Sequence, residues 1–177
     1  MNQQNIGNQF ERLPESADDR TVEGRASRVE VIDFFVDRFD IPSALFESYT
    51  FWEKGKGKIW ALRGRIESPV AIEALGIHII RTRQQFWKPT TDGIQLLGRH
   101  AQKNVLVVSP DVASNYWAGE NQYVMGDVSD GYVIVAQRIL DRAEPLGVGL
   151  YLDGELRSVV PKARQMVVSP LLSEDGL

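Results

Sequence analysis

Between residues 104 and 160 the sequence alternates between short apolar segments and turn-forming residues. An apolar run, Val105–Val108, predicts a strand, and residues 110–117 predict a short helical connection that ends at Ala118-Gly119. Glycine, proline and aspartate then separate four further strand candidates. These candidates are residues 122–125, 132–137, 146–151 and 155–160. Several short strands at this spacing favour a small barrel or pseudo-barrel.

The chain before this region begins with a helix signal. Apolar residues at helical spacing predict a helix that starts near Ser27 and ends at Asp40 and Pro42. The apolar stripe of this helix consists of Val29, Ile32, Val36 and Phe39. A short second turn is predicted from Ser43, as its cap, to Phe46.

Two aromatic-rich segments flank Gly55-Lys56-Gly57 and predict a β-hairpin over residues 49–62. Glycine suits this turn because it adopts positive φ at little cost. The hairpin tip carries Lys54, Lys56 and Lys58. After the hairpin, Ser68 as cap and Pro69 at the first helical position predict a helix that Gly76 ends.

An isoleucine-rich strand and another short helix are predicted next. The strand begins at Ile77 and runs into Arg81 and Arg83. The helix is capped by Thr91 or Asp92 and ends near residue 98. These elements predict a mixed α+β region over residues 27–102, ahead of the β-rich region.

Charge is distributed unevenly along an acidic chain of net charge −4. Residues 1–50 carry a net charge of −5, residues 51–105 of +6, and residues 106–177 of −5. This distribution predicts one positive surface on an otherwise acidic molecule, and chance clustering is the alternative.

Catalytic signals are absent from the sequence. It has no cysteine, which excludes disulfides, thiolate zinc sites and cysteine nucleophiles. The two histidines, His78 and His100, do not form a zinc-binding pair. Neither a phosphate-binding P-loop nor a G-x-S-x-G nucleophile turn occurs. The sequence therefore predicts a protein that is not an enzyme and needs neither a cofactor nor a metal.

The two ends of the chain are predicted to be tails. Residues 1–26 are polar, acidic and aperiodic, which predicts a mobile tail. Removal of residues 1–24 is expected to leave the melting temperature nearly unchanged. Residues 166–177 are predicted to form a second tail, in which 166–168 could add an edge strand. The polar start is unlike a signal peptide, and no apolar run reaches transmembrane length. A cytoplasmic location and no membrane partner are therefore expected.

Two stretches carry a family likeness. The first is Phe86 to Asn104, with its Lys88-Pro89 and Lys103-Asn104 pairs, and the second is 131–162, with the run Pro-Leu-Gly-Val-Gly at 145–149. Together they resemble the C-terminal PUA-like region of Nol/Nop/Sun (Fmu)-type rRNA cytosine methyltransferases and of standalone archaeal ribosome-biogenesis proteins. The resemblance covers about residues 50–165. The chain lacks the methyltransferase domain and the catalytic cysteines of those enzymes.

What the resemblance implies is an RNA-docking protein without chemistry. The fold expected is α+β: an N-terminal α/β domain over residues 27–102, followed by a PUA-like β pseudo-barrel over residues 103–165. The function expected is non-catalytic binding of rRNA or tRNA in ribosome biogenesis or RNA modification. The partners expected are structured RNA and, as a further candidate, a methyltransferase or pre-ribosomal protein. A protein–protein adaptor in such a complex and an undetected enzyme acting on RNA or nucleotides are the rival interpretations.

The residues expected to contact RNA follow from the same resemblance and from charge. PUA domains grip RNA with the short helix after the first strand, which points to Gly119, although a helix C-cap explains this glycine equally well. Basic side chains on such a domain contact phosphate and 2′-hydroxyl groups. The candidates are Lys88, Arg99, His100, Lys103, Arg157, Lys162 and Arg164. Trp87 is the favoured base-stacking residue, whereas Trp52 and Trp60 are expected in the core. We further expect Lys88, Arg99, Lys103, Lys162 and Arg164 to converge on one surface.

Overall fold

The computed structural model describes residues 9–67 and 72–166, and these form a mixed α+β fold with two five-stranded sheets, one of them curled into a half-barrel. The α-helices are α1 (Arg28–Phe39), α2 (Thr91–Leu97) and α3 (Pro110–Ala118). The strands are β1 (Glu11–Arg12), β2 (Tyr49–Glu53), β3 (Lys58–Arg63), β4 (Ile77–Arg81), β5 (Lys88–Pro89), β6 (Val105–Val108), β7 (Gln122–Tyr123), β8 (Gly131–Ile139), β9 (Arg142–Leu152) and β10 (Glu155–Ser158). Short 3₁₀ helices span Ser43–Ser48, Gly98–His100 and Lys162–Arg164.

The predicted first helix exists, but its buried face differs from the predicted one. Ser27 caps α1 through a capping box with Glu30, and Asp40 ends the helix in the left-handed conformation. The fully buried side chains are Val31, Phe35 and Phe39, whereas Val29 is 48% exposed. The prediction was wrong because α1 carries apolar residues on most of its circumference, so that spacing alone does not select the face that packs.

The first sheet contains β1 to β5 in sequence order, with antiparallel pairing throughout. The predicted hairpin is confirmed as β2 and β3, and Gly55 and Gly57 in its turn have φ of +69° and +71°. Ser43 does not cap the following 3₁₀ helix, since the Ser43 side chain makes no capping hydrogen bond and the residue lies inside that helix. Proline at position 42 takes the cap position instead.

The helix predicted from Ser68 to Gly76 lies partly outside the described residues, which omit 68–71. Its described part, residues 72–76, is not helical. In α2 the cap is Thr90 rather than Thr91 or Asp92, because the Thr90 hydroxyl accepts a hydrogen bond from the Gly93 backbone at 2.9 Å. The prediction placed the cap one or two residues too late, within a run of residues that can all act as caps.

The second sheet has the strand order β6-β8-β9-β10-β7, in which β6 and β8 are parallel and the other pairs are antiparallel. The five strands predicted between residues 104 and 160 are therefore confirmed. Gly119 and Gly131 have φ of +86° and +116°. A Cβ on Gly147 would lie 2.5 Å from the Tyr116 hydroxyl, so this glycine marks a close approach of α3 to β9.

One buried cluster connects the two sheets. It contains Phe35 and Phe39 of α1, Ile80 of β4, and also Ile134 of β8 and Val148 of β9. The parts predicted as separate domains thus share an apolar core, and their division at residue 102 stays a prediction. A second cluster lies under α3 and includes Tyr116, whose hydroxyl donates to the Val148 carbonyl at 2.9 Å.

The mobile tail predicted over residues 1–26 is corrected for its described part, residues 9–26. Phe10 and Leu13 are only 6% and 4% exposed, and residues 11–12 pair with β2 as strand β1. Arg25 pairs with Glu11 at 2.5 Å and with Glu53 at 2.6 Å. The segment is held by the burial of Phe10 and Leu13 and by the ion pairs of Arg25. Isolated contacts of this kind leave no apolar periodicity in the sequence. Of the second predicted tail, residues 167–177 lie outside the described residues.

None of the helices in residues 9–67 and 72–166 has both the length and the apolar character required to cross a lipid bilayer.

Candidate functional site

Three basic residues form a row across neighbouring strands of the first sheet. Lys58 of β3 is the direct cross-strand partner of Arg81 of β4, and Arg81 is in turn the partner of Lys88 of β5. Like charges directly opposite each other destabilise a sheet. Among the ion pairs of the described residues, none includes Lys58, Arg81 or Lys88. This row therefore concentrates positive charge that no ion pair in the described part of the protein neutralises.

A β-bulge in β4 brings His78 onto the same face as Arg81. Ile59 pairs with Ile80, and the next residue of β3 pairs with His78, so Ile79 has no partner. Ile79 and Ile80 are both fully buried, whereas His78 and Arg81 on either side of them line one cleft. Without the extra residue, strict alternation would put these two side chains on opposite faces.

The cleft has a volume of about 460 Å³ and is bounded by both sheets. Arg81 and Lys88 come from the first sheet, and Val148 comes from the second. Its further lining consists of His78, residues 89–92 at the start of α2, and Val159, Pro161 and Arg164. The cleft thus combines Arg81 and Lys88 of the basic row with residues from the far end of the chain, and Lys58 adjoins it as the cross-strand partner of Arg81.

Arg164 is held at the edge of the cleft by Asp92. The two side chains form a bidentate pair, with N–O distances of 2.9 Å and 3.1 Å. The hydrogen bonds and the charge of Asp92 raise the pKa of Arg164. The Arg164 side chain is nevertheless 51% exposed, and a guanidinium has five N–H donors, so it can still donate to an anion. Asp92 offsets part of the positive charge of the cleft.

Lys88 is half-buried in this positive environment. Burial lowers its pKa, and the neighbouring Arg81 guanidinium lowers it further. Both causes act against the charged form of the lysine. A bound anion would oppose the effect of Arg81, which makes anion binding at Lys88 electrostatically favourable.

His78 stacks on Trp60 beside the basic row. The ring centroids are 5.2 Å apart and the planes are inclined by 24°. Burial, together with Arg81 and Lys58, lowers the pKa of His78 to about 4, so the imidazole is neutral at neutral pH. Nε2 of His78 and Nε1 of Trp60 are both buried and have no hydrogen-bond partner among the described residues.

Stability is expected to fall as the pH drops, because of His78. The unfolded chain takes up a proton on this residue near its ordinary pKa of 6.5, whereas the folded chain does so only near about 4. The unfolded state binds more protons in this window, so the stabilisation is complete above pH 6.5 and decreases towards pH 4. Since His78 is partly exposed, we expect a loss of only about 1 kcal/mol between about pH 7 and about pH 5.

Chemical denaturation of the wild type and of His78→Gln at both pH values measures this effect. The variant should lose less stability on acidification than the wild type, while titration of carboxylates contributes equally to both. His100→Gln is the matched control because His100 is exposed. An identical pH dependence for wild type and His78→Gln would show that His78 is not held in its neutral form.

The structure brings two of the residues predicted to bind RNA into the cleft, Lys88 and Arg164. Arg99 lies beyond the other end of α2 and pairs with Glu144 at 3.4 Å, and Arg157 pairs with its neighbour Glu155 at 2.6 Å. The remaining charged or titratable candidates, His100, Lys103 and Lys162, are exposed. The convergence of all five predicted basic residues on one surface stays a prediction.

Gly119 and Trp87, which were also predicted to contact RNA, do not line the cleft and make packing contacts elsewhere. Gly119 is the left-handed C-cap of α3, and a Cβ there would collide with the Gln165 side chain. Trp87 is half-buried and packs against Phe34 of α1, with ring centroids 5.9 Å apart. Trp60, which was predicted to lie in the core, packs against a buried cluster and also stacks on His78 of the cleft.

Sequence reasoning missed Lys58, Arg81 and His78 as members of one site. Lys58 was identified at the hairpin tip and Arg81 at a strand end, but their alignment depends on the register of β3, β4 and β5. The bulge at Ile79 has no local signature in the sequence. Within the described residues no group of three or more histidine, aspartate or glutamate side chains could hold a metal ion.

Residues 1–76 match the model of a family of unknown function, DUF7122. The match covers α1 and the β2–β3 hairpin and ends before β4, and it spans less than half of the 177 residues. A comparison with curated proteins found no match. The chemistry of the cleft therefore carries the functional argument.

Proposed function

We propose that this protein binds structured RNA, of the rRNA or tRNA class, without catalysing a reaction, and that the cleft contacts the phosphate backbone. The observation that carries this proposal is the row of Lys58, Arg81 and Lys88. Each like-charged pair opposes sheet formation by a few tenths to about 1 kcal/mol. A local conflict of this kind is expected where a ligand compensates for it.

A phosphate backbone fits the row better than a single small anion does. Direct cross-strand neighbours lie about 5 Å apart, so the row extends over two strand spacings. Such an extended line of cations contacts successive or neighbouring phosphates, and contacts of this kind position RNA without reading its sequence. Arg164 extends the positive surface at the edge of the cleft.

The second sheet supports the PUA-like part of the proposal. The resemblance implies a compact β-region with a short helix after its first strand, and α3 follows β6 in this order. Val148, Val159 and Arg164 contribute from this region to the cleft. We propose on this basis that the PUA-like region and the first sheet bind one RNA together, in ribosome biogenesis or RNA modification.

Replacing Lys58, Arg81 and Lys88 by alanine is expected to weaken RNA binding and flatten its salt dependence. Each lost phosphate contact reduces the slope of log affinity against log salt concentration by about 0.7–0.9. The slope of the triple variant should therefore be smaller than that of the wild type by up to about 2–3. The measurement is a titration of a folded tRNA and of a folded rRNA fragment over a series of salt concentrations. Stability should be unchanged or slightly increased, because like charges are removed.

The matched control carries Arg99→Ala, Lys103→Ala and Lys162→Ala, three basic residues of which none lines the cleft. If RNA affinity falls more in this control than in the variant of Lys58, Arg81 and Lys88, the RNA-binding surface lies away from the cleft. If the wild type binds neither RNA in a salt-dependent manner, the RNA-binding proposal is wrong. The adaptor function then takes its place.

A further inference from the structure

A second cavity adjoins the cleft and has a different chemistry. It measures about 540 Å³ and is lined by Trp60, His78, Gln95 and Leu96, among others. His78 and Asp92 line both cavities, so the two are direct neighbours. One cavity is cationic, and the other offers an aromatic pair, an apolar wall and an amide.

This combination matches the two ends of a nucleotide. A phosphate group seeks cations and N–H donors, whereas a nucleobase stacks on flat rings and presents donors and acceptors at its edge. Trp60 and His78 are stacked on each other in the wall of this cavity, and the imidazole is neutral, so it adds no charge there. Nε1 of Trp60 and Nε2 of His78 are buried and have no hydrogen-bond partner in the described part of the chain.

We infer that the paired cavities hold one unpaired nucleotide of the bound RNA, with its phosphate on Arg81, Lys88 and Arg164 and its base against Trp60 and His78. This rests on the proposed function and specifies the form of RNA that is recognised. A base inside a continuous duplex is stacked on its neighbours on both sides and cannot lie against a protein ring. The RNA must therefore offer a nucleotide in a loop, a bulge or an overhang beside its helical part.

Gln95 is the side chain best placed to contact the edge of the base. Its amide nitrogen donates to the Leu146 carbonyl at 2.9 Å, which fixes the orientation of the amide group. The amide oxygen is then left as an acceptor, and the residue is exposed on the cavity side of α2. Asp92 is already engaged by Arg164 and serves as the boundary between phosphate and base.

The test compares two RNAs that share one stem, one with a blunt end and one with a short single-stranded overhang. The wild type should bind the overhang RNA more tightly. Trp60→Leu should weaken binding of the overhang RNA by about 10-fold or more, the typical effect of losing one stacked base, and should leave binding of the blunt RNA nearly unchanged. The salt slope should stay the same, because no phosphate contact is removed. Trp87→Leu is the matched control, since this half-buried tryptophan lines neither cavity.

A second measurement uses the unaltered protein and does not depend on how Trp60→Leu folds. Addition of a short single-stranded oligonucleotide should shift the indole N–H resonance of Trp60 more than those of Trp52 and Trp87. The spectrum of Trp60→Phe assigns this resonance. Equal affinity for both RNAs together with an unshifted Trp60 resonance would overturn the nucleotide site, while a normal salt response of the cleft would leave the proposed RNA binding intact. Absence of binding to either RNA would overturn both.

Discussion

Deletion of residues 1–24 is expected to lower the free energy of unfolding by about 3–6 kcal/mol. The deletion removes two buried side chains, Phe10 and Leu13, each of which contributes about 1.5–3 kcal/mol through burial. It also removes Glu11, one of the two carboxylates that pair with Arg25. Chemical denaturation of the complete and the shortened chain measures the difference.

Single substitutions in the 177-residue chain separate the effect of losing a buried side chain from the effect of shortening the chain. Phe10→Ala and Leu13→Ala should each reproduce part of the loss, because each anchor contacts a different cluster of the core. Arg12→Ala is the matched control in β1, since the Arg12 side chain is 52% exposed and its ion pair with Glu15 is a surface pair. An unchanged unfolding midpoint after the deletion would show that residues 9–24 do not pack as described.

The N-terminal segment shows why sequence reasoning underestimates isolated anchors. Phe10 meets Trp60 edge-on, with ring centroids 5.7 Å apart, and Leu13 joins the cluster under α1. Both contacts are with residues distant in sequence. A segment with a few scattered apolar residues in a polar, acidic background has neither helical nor strand periodicity, so its composition resembles that of a disordered tail.

The β2–β3 hairpin and the strands of the second sheet had strong local signals and were predicted correctly. The β2–β3 hairpin has glycines where its turn requires positive φ, and the strands of the second sheet are separated by clear turn residues. The face of α1 was not predictable in this way. Apolar side chains at Val29, Val31, Ile32 and Phe35 leave two overlapping stripes, and only packing against the first sheet selects the one with Val31 and Phe35.

The candidate site depends on long-range features that no local pattern specifies. Sequence reasoning identified the basic middle of the chain, but it could not tell which cations have carboxylate partners. Arg99 finds Glu144, 45 residues away, and Arg164 finds Asp92, 72 residues away. The alignment of Arg81 with Lys58 and Lys88 follows from the register of the three strands. The position of His78 on the same face depends on a single bulge at Ile79.

Replacing Gly93 by alanine is expected to destabilise the protein by about 2 kcal/mol or more and to weaken RNA binding. Alanine in a helix is ordinarily favoured over glycine by about 1 kcal/mol, so propensity alone predicts the opposite sign. A Cβ at this position would lie 2.5 Å from the Ile79 carbonyl oxygen and 2.8 Å from its Cα. Both atoms belong to backbone, which cannot rotate away, so α2 must move off β4. Thermal unfolding and RNA titration measure the two effects.

Gly98→Ala tests whether the backbone contact is the cause. Its Cβ would meet only side-chain atoms, at 3.1 Å from Pro145 and 3.3 Å from Ile94, so these neighbours need to shift by only a few tenths of an ångström. We therefore expect a change within about 1 kcal/mol for this matched glycine. Because α2 carries Asp92, which lines both cavities, and Gln95, which lines the second, its displacement in Gly93→Ala should reduce binding of the overhang RNA more than that of the blunt RNA. A Gly93→Ala protein as stable as the wild type would contradict the packing of α2 directly on the bulge of β4, the contact that brings the start of this helix to the basic row.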